Sequence, residues 1–255
     1  MNPPSDSRRP RVLILGGTSE ARALAAALAA RGACELSLSL AGRTRNPLAI
    51  DAPTRSGGFG GAEGLAAHLA AERIDALIDA THPFAATISR NAAEAARLAG
   101  VPLVALVRTA WPRCAGDLWT DAADIPEAVA KLGESPRRVL VALGRNEVQA
   151  LEAAPQHHYL VRSIDPVEPP LAVPDARYIE ARGPFPEAEE RALLEQNRID
   201  AVLSKNSGGA ATYGKIAAAR ALGIEVIMVA RPARPAVEAV GSVEEVMGWL
   251  EGRFG

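Results

Sequence analysis

The feature of this sequence that most constrains its fold is a repeated alternation between short apolar runs and helical patterns. Arg11–Leu15 is an apolar run that ends at a glycine turn, and Ser19–Arg31 follows with Leu24 and Leu28 at helical spacing. Further apolar runs are separated by helical patterns of about 10 to 15 residues, which is typical of βαβ crossovers and a parallel sheet. Hydrophobic residues make up 48% but aromatic residues only 4%. Such a composition suits helices packed on a buried parallel sheet.

The alternation is interrupted once, which predicts two domains. Residues 108–138 are irregular and rich in proline and glycine, and the strand-helix rhythm resumes at Val139–Leu143. We therefore predict an α/β fold with two Rossmann-like domains, each a parallel sheet of roughly five strands flanked by helices, with the active-site cleft between them. The predicted boundaries are a disordered tail over 1–10, a first domain over 11–135 and a second over 136–255, which includes a last helix from Ser242.

Charge and cysteine content argue against several classes of protein. The formal net charge is −2, with 28 Lys and Arg against 30 Asp and Glu, whereas nucleic-acid binding depends on clustered cations. Cys34 and Cys114 form no CxxC motif, so neither a disulfide framework nor a metal site is indicated. No stretch reaches about 18 consecutive apolar residues, so no membrane span is indicated. We expect a cytoplasmic protein that binds no nucleic acid, membrane or metal.

The first strand-to-helix turn resembles a dinucleotide-binding fingerprint with one substitution. Aligned from Gly16, the three fingerprint positions hold Gly16, Thr18 and Ala21, so a threonine replaces the glycine that lets the backbone approach a pyrophosphate. Backbone N–H groups at the start of a helix still favour an anion. The alternative is a plain turn with Ser19 as the helix N-cap. The candidate pyrophosphate-binding residues are Gly16, Gly17, Thr18, Ser19, Glu20 and Ala21.

The end of the second predicted strand bears on the choice of cofactor. An acidic residue here would favour NAD, whereas an arginine accommodates the 2′-phosphate of NADP. The sequence has Arg43 and Thr44, and Arg45 follows, with no acid among them. This predicts NADPH/NADP as cofactor; an ordinary exposed loop arginine is the alternative.

Three further loops follow predicted strands, at the edge where doubly wound folds bind ligands. The GGFGG loop permits unusual backbone angles, and it either contributes to the cofactor site or forms a flexible turn. The THPFA segment places a histidine at a strand end, where it can face a nicotinamide or a substrate. SKNSGG offers a lysine, side-chain donors and open backbone, which favour a carboxylate or phosphate; a capped helix is the alternative. The candidate residues are Gly58, Phe59, Gly60, Thr81, His82, Pro83, Lys205, Asn206, Ser207 and Gly208.

Five motifs occur along the chain in the order LILGGTSEAR, GGFGG, DATHPFA, the RTAW stretch and SKNSGG. Together they resemble the precorrin-6A reductase family of cobalamin biosynthesis, and the resemblance extends from Arg11 to about Pro232. The resemblance implies a two-domain enzyme that transfers hydride from NADPH to one double bond of precorrin-6A, giving precorrin-6B. The alternatives are the cobalt-precorrin-6A reductase of the anaerobic route, using NADH, and a non-catalytic module that binds a nucleotide or tetrapyrrole.

The resemblance also implies roles for the candidate residues. The first domain would bind NADP, with the nicotinamide near Thr81–Phe84, and the second would bind the substrate. A tetrapyrrole with many carboxylates needs several donors around a wide cleft. The predicted substrate-binding residues are Phe84, Arg108, Trp111, Lys205, Asn206, Ser207 and Gly208, with Trp111 as an apolar wall. His82 is the candidate proton donor by position, and neighbouring pathway enzymes are the remaining candidate partners.

Overall fold

The computed structural model describes residues 8–42 and 52–255, which form parallel strands and flanking helices. The strands, in chain order, are β1 (Arg11–Leu15), β2 (Glu35–Leu40), β3 (Thr54–Ser56), β4 (Ala76–Asp79), β5 (Leu103–Leu106), β6 (Trp119–Ala122), β7 (Arg138–Ala142), β8 (His158–Ser163), β9 (Ala176–Glu180), β10 (Ala201–Lys205), β11 (Glu225–Val229) and β12 (Ala239–Val240). The helices are α1 (Ser19–Arg31), α2 (Ala62–Ala71), α3 (Ala86–Ala99), α4 (Ile125–Ala130), α5 (Glu187–Gln196), α6 (Gly214–Leu222) and α7 (Val243–Phe254), and Val148–Ala153 is a 3₁₀ helix.

The first unit contains a six-stranded parallel sheet in the order β12-β5-β4-β1-β2-β3. Its central strands β1 and β4 are almost wholly buried, because helices cover both faces of the sheet. One face carries Leu24, Leu28 and Trp249 against Ile14 and Ile78, in a single apolar cluster. Counted from β3, this is the doubly wound strand order of a dinucleotide-binding fold.

The second unit repeats this order in five of its six strands, whereas its outer strand β6 precedes the other five along the chain. Its sheet runs β6-β11-β10-β7-β8-β9, again with all strands parallel. Leu140, Val202 and Ile216 belong to one of its apolar clusters. The prediction of an α/β fold with two parallel sheets flanked by helices is therefore confirmed, with six strands in each sheet.

The unit boundaries differ from the predicted ones. Residues up to Arg108 form the first unit together with Pro232–Gly255, and Thr109–Arg231 form the second. β12 hydrogen-bonds to β5, and Val246 and Trp249 of α7 pack into the core of the first unit. The irregular segment assigned to the first domain holds β6 and α4, and β6 pairs with β11 of the second sheet.

The predicted disordered tail over 1–10 is wrong for its last three residues, while 1–7 lie outside the described residues. Arg8 donates two hydrogen bonds to the Asp75 carboxylate, and Arg9 donates to the Gly32 carbonyl. The Pro10 carbonyl accepts from the backbone of Glu35, so this segment leads directly into the sheet.

Within the two described segments of the chain, no helix is both long and apolar enough to cross a membrane.

Candidate active site

Each sheet has one point at which its strand order reverses. In the first sheet this point lies between β1 and β4, and in the second between β7 and β10. In doubly wound sheets, ligands bind outside the carboxyl ends of the strands at such a point, which is called the switch point. The candidate site in each unit is therefore built from the loops that follow these two strands.

The turn after β1 is open to a ligand. Gly17 has φ +117°, a backbone conformation that favours glycine, and among the described residues no heavy atom lies within 4 Å of the position that a Cβ would take there. At Gly16 a Cβ would lie 2.9 Å from Leu38 Cδ1, so this glycine lets the turn pack on β2. The turn thus has an accessible backbone beside the N-terminus of a 13-residue helix.

Thr18 has a structural role that fingerprint matching missed. Its hydroxyl accepts from Ala21 N at 3.1 Å and donates to the Ala80 carbonyl at 2.8 Å, and only 7% of the residue is exposed. Thr18 is therefore the N-cap of α1, in place of Ser19, which is the first helical residue. The Thr18 hydroxyl thus joins the turn after β1 to the loop after β4, the two loops that meet at the switch point. A glycine at position 18 could form neither hydrogen bond.

A charged pair lies beside this turn. Arg108 Nη1 lies 3.0 Å from the Glu20 carboxylate, and both side chains are largely buried. Partial burial acts to raise the pKa of Glu20, but the hydrogen bond from its own backbone N–H and the charge of Arg108 outweigh it and hold the pKa below its ordinary value. Arg108, predicted for the substrate, thus lies beside the glycine turn after β1, and with Thr18, Thr81 and Pro83 it lines one small pocket.

The carboxyl end of β4 carries a buried polar network. Asp79 is 2% exposed, and its Oδ1 accepts from the backbone and hydroxyl of Thr81 at 3.1 and 2.6 Å. Its other oxygen lies 2.6 Å from Arg234 Nη2, on the segment that returns to the first unit. These contacts fix the start of the THPFA segment. Sequence analysis missed both residues: an aspartate ending an apolar strand was a usable signal for Asp79, whereas nothing local marked Arg234.

His82 follows this network directly. Its Nδ1 accepts from Phe84 N at 3.2 Å, and its carbonyl accepts from Ala85 N at 2.7 Å. An acceptor role at Nδ1 leaves the proton of a neutral imidazole on Nε2. The ring is half-buried, and its centroid lies 5.8 Å from that of Phe84.

The GGFGG loop is an ordered turn organised by Arg55. The Arg55 guanidinium donates to the carbonyls of Gly57 and Gly58 and lies 3.9 Å from the centroid of the Phe59 ring. Phe59 also contacts the His68 ring and packs against the apolar cluster of β1 and α2. Gly60 has φ +82°. Arg55 therefore makes this loop an ordered turn instead of a flexible one, and the contribution of Gly58, Phe59 and Gly60 to the cofactor site stays a prediction.

The predicted 2′-phosphate residues Arg43 and Thr44 lie outside the described residues, as does Arg45. Their assignment stays a prediction from the sequence.

In the second unit, Lys205 is paired with a carboxylate that sequence analysis did not consider. Lys205 Nζ lies 2.6 Å from Glu147 Oε2, and the same oxygen accepts from Gly144 N at 2.7 Å. Lys205 ends β10, whereas Gly144 and Glu147 follow β7, so this pair bridges the switch point of the second sheet. A glutamate three residues after a strand-end glycine is too common to have predicted the pairing.

The rest of the SKNSGG loop is held by contacts within the second unit. The Asn206 side chain accepts from Trp111 N at 2.8 Å and donates to the Trp111 carbonyl at 3.1 Å. Arg231 donates to the carbonyls of Asn206 and Ser207. Gly208 has φ +69° and lies against the Thr109 carbonyl. Hydrogen bonds from Trp111 and Arg231 therefore hold the loop in one ordered turn.

Trp111 does not have the exposed position that its predicted role requires. Only 7% of the residue is exposed, its Nε1 donates to the Gly209 carbonyl at 2.7 Å, and it belongs to an apolar core cluster. The Lys215 ammonium lies 4.7 Å from its ring centroid. Trp111 is therefore a core residue of the second unit, and the expectation of an apolar wall for the substrate is corrected.

These features define the class of protein. An open glycine turn at a helix N-terminus, placed at the switch point of a doubly wound sheet, fits the pyrophosphate of a dinucleotide. The first unit therefore has the doubly wound fold and the open strand-to-helix turn that are typical of dinucleotide-binding proteins.

Comparison with known proteins identifies the family. The family described as precorrin-6x reductase CbiJ/CobK matches residues 11–251, and the chain belongs to it. The chain is 55% identical over 250 residues to a precorrin-6A reductase of Sinorhizobium sp, covering 96% of each. A solved structure titled CobK precorrin-6A reductase is 48% identical with a TM-score of 0.92, covering 95% of this chain and 96% of that one. Membership of this reductase family implies an oxidoreductase of cobalamin biosynthesis with a nicotinamide cofactor.

More distant relatives carry a different name. A cobalt-precorrin-6A reductase of Salmonella typhimurium strain LT2 is 30% identical over 234 residues, covering 87% of each chain. The chain thus shares far more residues with the relative named for the cobalt-free substrate.

Proposed function

We propose that this protein catalyses the NADPH-dependent reduction of one double bond of precorrin-6A to give precorrin-6B. The observation that carries the proposal is the open turn at Gly16 and Gly17, which the Thr18 hydroxyl joins to the loop bearing His82. The 55% identity to a precorrin-6A reductase supports the cobalt-free substrate over the cobalt-containing one.

In this proposal the first unit binds the cofactor. The backbone of residues 16–21 receives the pyrophosphate, and Arg43 and Thr44 receive the 2′-phosphate. Arg108 neutralises Glu20, which would otherwise place an uncompensated negative charge at the anion site. The buried contacts of Asp79 hold Thr81, and hence the segment 81–84, at the nicotinamide end of the site.

In the chemical step the protein has two tasks: it positions the nicotinamide against the tetrapyrrole, and it supplies one proton to the tetrapyrrole. A bound reduced nicotinamide supplies the hydride. We assign His82 as the proton donor: its imidazolium form gives the Nε2 proton to the ring position that does not receive the hydride and becomes a neutral imidazole. The second unit binds the substrate carboxylates, with Lys205 and Ser207 among the donors.

The proposal is tested by mixing the purified protein with NADPH and precorrin-6A without oxygen and following the absorbance of both. A reductase changes the two together, in equal amounts. A binding module would shift the tetrapyrrole spectrum and leave NADPH unoxidised, which would refute the proposal. Parallel reactions with cobalt-precorrin-6A and with NADH determine which substrate and cofactor are preferred.

Arg43→Ala is expected to weaken NADPH binding while leaving NADH binding nearly unchanged. A charge-assisted contact to the 2′-phosphate contributes about 1.5 to 3 kcal/mol, so the dissociation constant for NADPH should rise by about 10- to 100-fold. Both constants are measured by fluorescence titration. Arg90→Ala, on the exposed side of α3, is the control. Equal losses for the two cofactors would contradict the assignment of Arg43.

His82→Ala is expected to slow single-turnover hydride transfer without weakening NADPH binding. A positioned general acid contributes about 10²- to 10⁴-fold, and we expect the lower end because water can substitute in part. Stopped-flow measurements across the pH range give the rate. His158→Ala is the control, because His158 begins β8, at the amino ends of the strands of the second sheet. An unchanged rate at every pH would remove His82 from the mechanism.

A further inference from the structure

We propose that the switch point of the second sheet is a carboxylate-binding subsite, in which Arg145 and the Ser163 hydroxyl receive one peripheral carboxylate of the tetrapyrrole. The subsite lies at the ends of β10, β7 and β8, which are neighbours in the sheet. It rests on the proposed function for the identity of the tetrapyrrole, and it adds two residues that were not among the predicted substrate contacts.

The first observation is that the protein already binds a carboxylate at this point. One oxygen of Glu147 accepts from both Gly144 N and Lys205 Nζ, at 2.7 and 2.6 Å. A Cβ at Gly144 would lie 2.6 Å from that oxygen, so the glycine is required for this contact. The backbone and the lysine therefore form an environment that suits a carboxylate, and Glu147 uses part of it.

The second observation is an arginine without a partner. Arg145 is half-buried, and it makes no hydrogen bond or ion pair with any residue in the described part of the chain. Partial burial disfavours a cation unless an anion compensates it. Glu147, the carboxylate nearest to Arg145 in the sequence, already accepts from Lys205. Arg145 is therefore available to an anionic ligand.

The third observation is a buried hydroxyl at the end of the next strand. Ser163 is 8% exposed, and its Oγ has no hydrogen-bond partner among residues 8–42 and 52–255. Side chains alternate across a strand, so Ser163 lies on the same face of β8 as Tyr159, whose hydroxyl contacts the 3₁₀ helix that follows Glu147. Lys205 and Val202 lie on opposite faces of β10, and Val202 packs in the apolar cluster that includes Leu160.

The face of β8 that carries Ser163 and the face of β10 that carries Lys205 belong to the same side of the sheet. Leu160 and Val202 share one cluster, so the residues of opposite parity, Ser163 and Lys205, share the other face of the sheet. Three adjacent strand ends thus present an ammonium, a guanidinium and a hydroxyl at one edge. A substrate with several carboxylates can place one there, while its other carboxylates bind elsewhere.

The test uses isothermal titration calorimetry with two stable probes: a cobalt-free corrin with free peripheral carboxylates, and the same corrin with those carboxylates as methyl esters. Arg145→Ala should weaken binding of the free acid by about 10- to 100-fold, the loss of a charge-assisted hydrogen bond. Ser163→Ala should weaken it less. Glu147→Gln keeps an acceptor but removes the competing charge, so it should tighten binding of the free acid by about 2- to 5-fold.

The ester probe and a surface variant are the controls. None of the three substitutions should change ester binding or the affinity for NADPH, and Arg191→Ala, an exposed cation on α5, should change neither corrin affinity. An equal loss for acid and ester, or no loss in Arg145→Ala, would overturn the subsite, as would a wild-type protein that does not bind the free acid. If the wild-type protein binds the free acid with these dependences but does not reduce precorrin-6A, the proposed function fails and the subsite stands.

Discussion

Asp79→Ala is expected to lower the free energy of unfolding of the first unit by about 3 to 5 kcal/mol, the usual cost of removing one partner of a buried ion pair. The substitution leaves Arg234, whose side chain is 17% exposed, without its carboxylate, and it removes the acceptor for the Thr81 backbone and hydroxyl. Because Thr81 precedes His82, hydride transfer should slow as well. Hydrogen exchange with mass spectrometry measures the effect, since peptides from the two units can be followed separately.

The double variant Asp79→Asn with Arg234→Met distinguishes a charge effect from general damage to the strand end. It removes both charges and keeps an acceptor for Thr81, so it should regain most of the stability lost in Asp79→Ala. If the single and double variants lost the same stability, the ion pair would not be the cause.

Gly208→Ala is expected to destabilise the second unit by about 2 to 5 kcal/mol, from left-handed backbone strain and overpacking together. Gly208 has φ +69°, and a Cβ there would lie 2.2 Å from the Thr109 carbonyl oxygen and 2.4 Å from Arg231 Nη2. The SKNSGG loop must then move away from the segment that braces it. Binding of a free-acid corrin should be lost, whereas NADPH binding by the first unit should persist.

Gly223→Ala is the matched control for this substitution. Gly223 also has a left-handed backbone, with φ +64°, but no described heavy atom lies within 4 Å of the position of its Cβ. It should therefore show the backbone strain alone, about 1 to 2 kcal/mol. Urea unfolding measures both variants, and equal losses would show that the contact with Thr109 does not matter.

Local sequence patterns predicted most of the strands and helices but not the composition of the units. The bounds of β1, α1 and β2 follow directly from apolar runs and glycine turns. β6 has four residues and β12 two, too few for a periodic signal. The helix from Val243 was predicted from its capping residues, yet a local pattern carries no information about which sheet a helix covers. It was therefore assigned to the neighbouring unit in sequence.

The candidate site shows the same division between local and long-range information. The glycine turn and the THPFA segment were recognisable because strand-to-helix turns have local signals. The ion pairs that hold these loops were not recognisable, because Glu147 is 58 positions from Lys205 and Arg234 is 155 from Asp79. Trp111 illustrates the converse error: the family resemblance implied an apolar wall for the substrate, but the indole and backbone of Trp111 are hydrogen-bonded within the second unit.

The division of the first unit between two stretches of the chain has a consequence for biosynthesis. The second unit is one continuous segment, so a nascent chain can fold it before residues 232–255 have left the ribosome. Until then β5 lacks its outer neighbour β12, and the apolar residues of α1 lack the cover of α7. The first unit is therefore the last to mature, and a translation product that stops after Arg231 would have an exposed strand edge and be a target for chaperones and proteases.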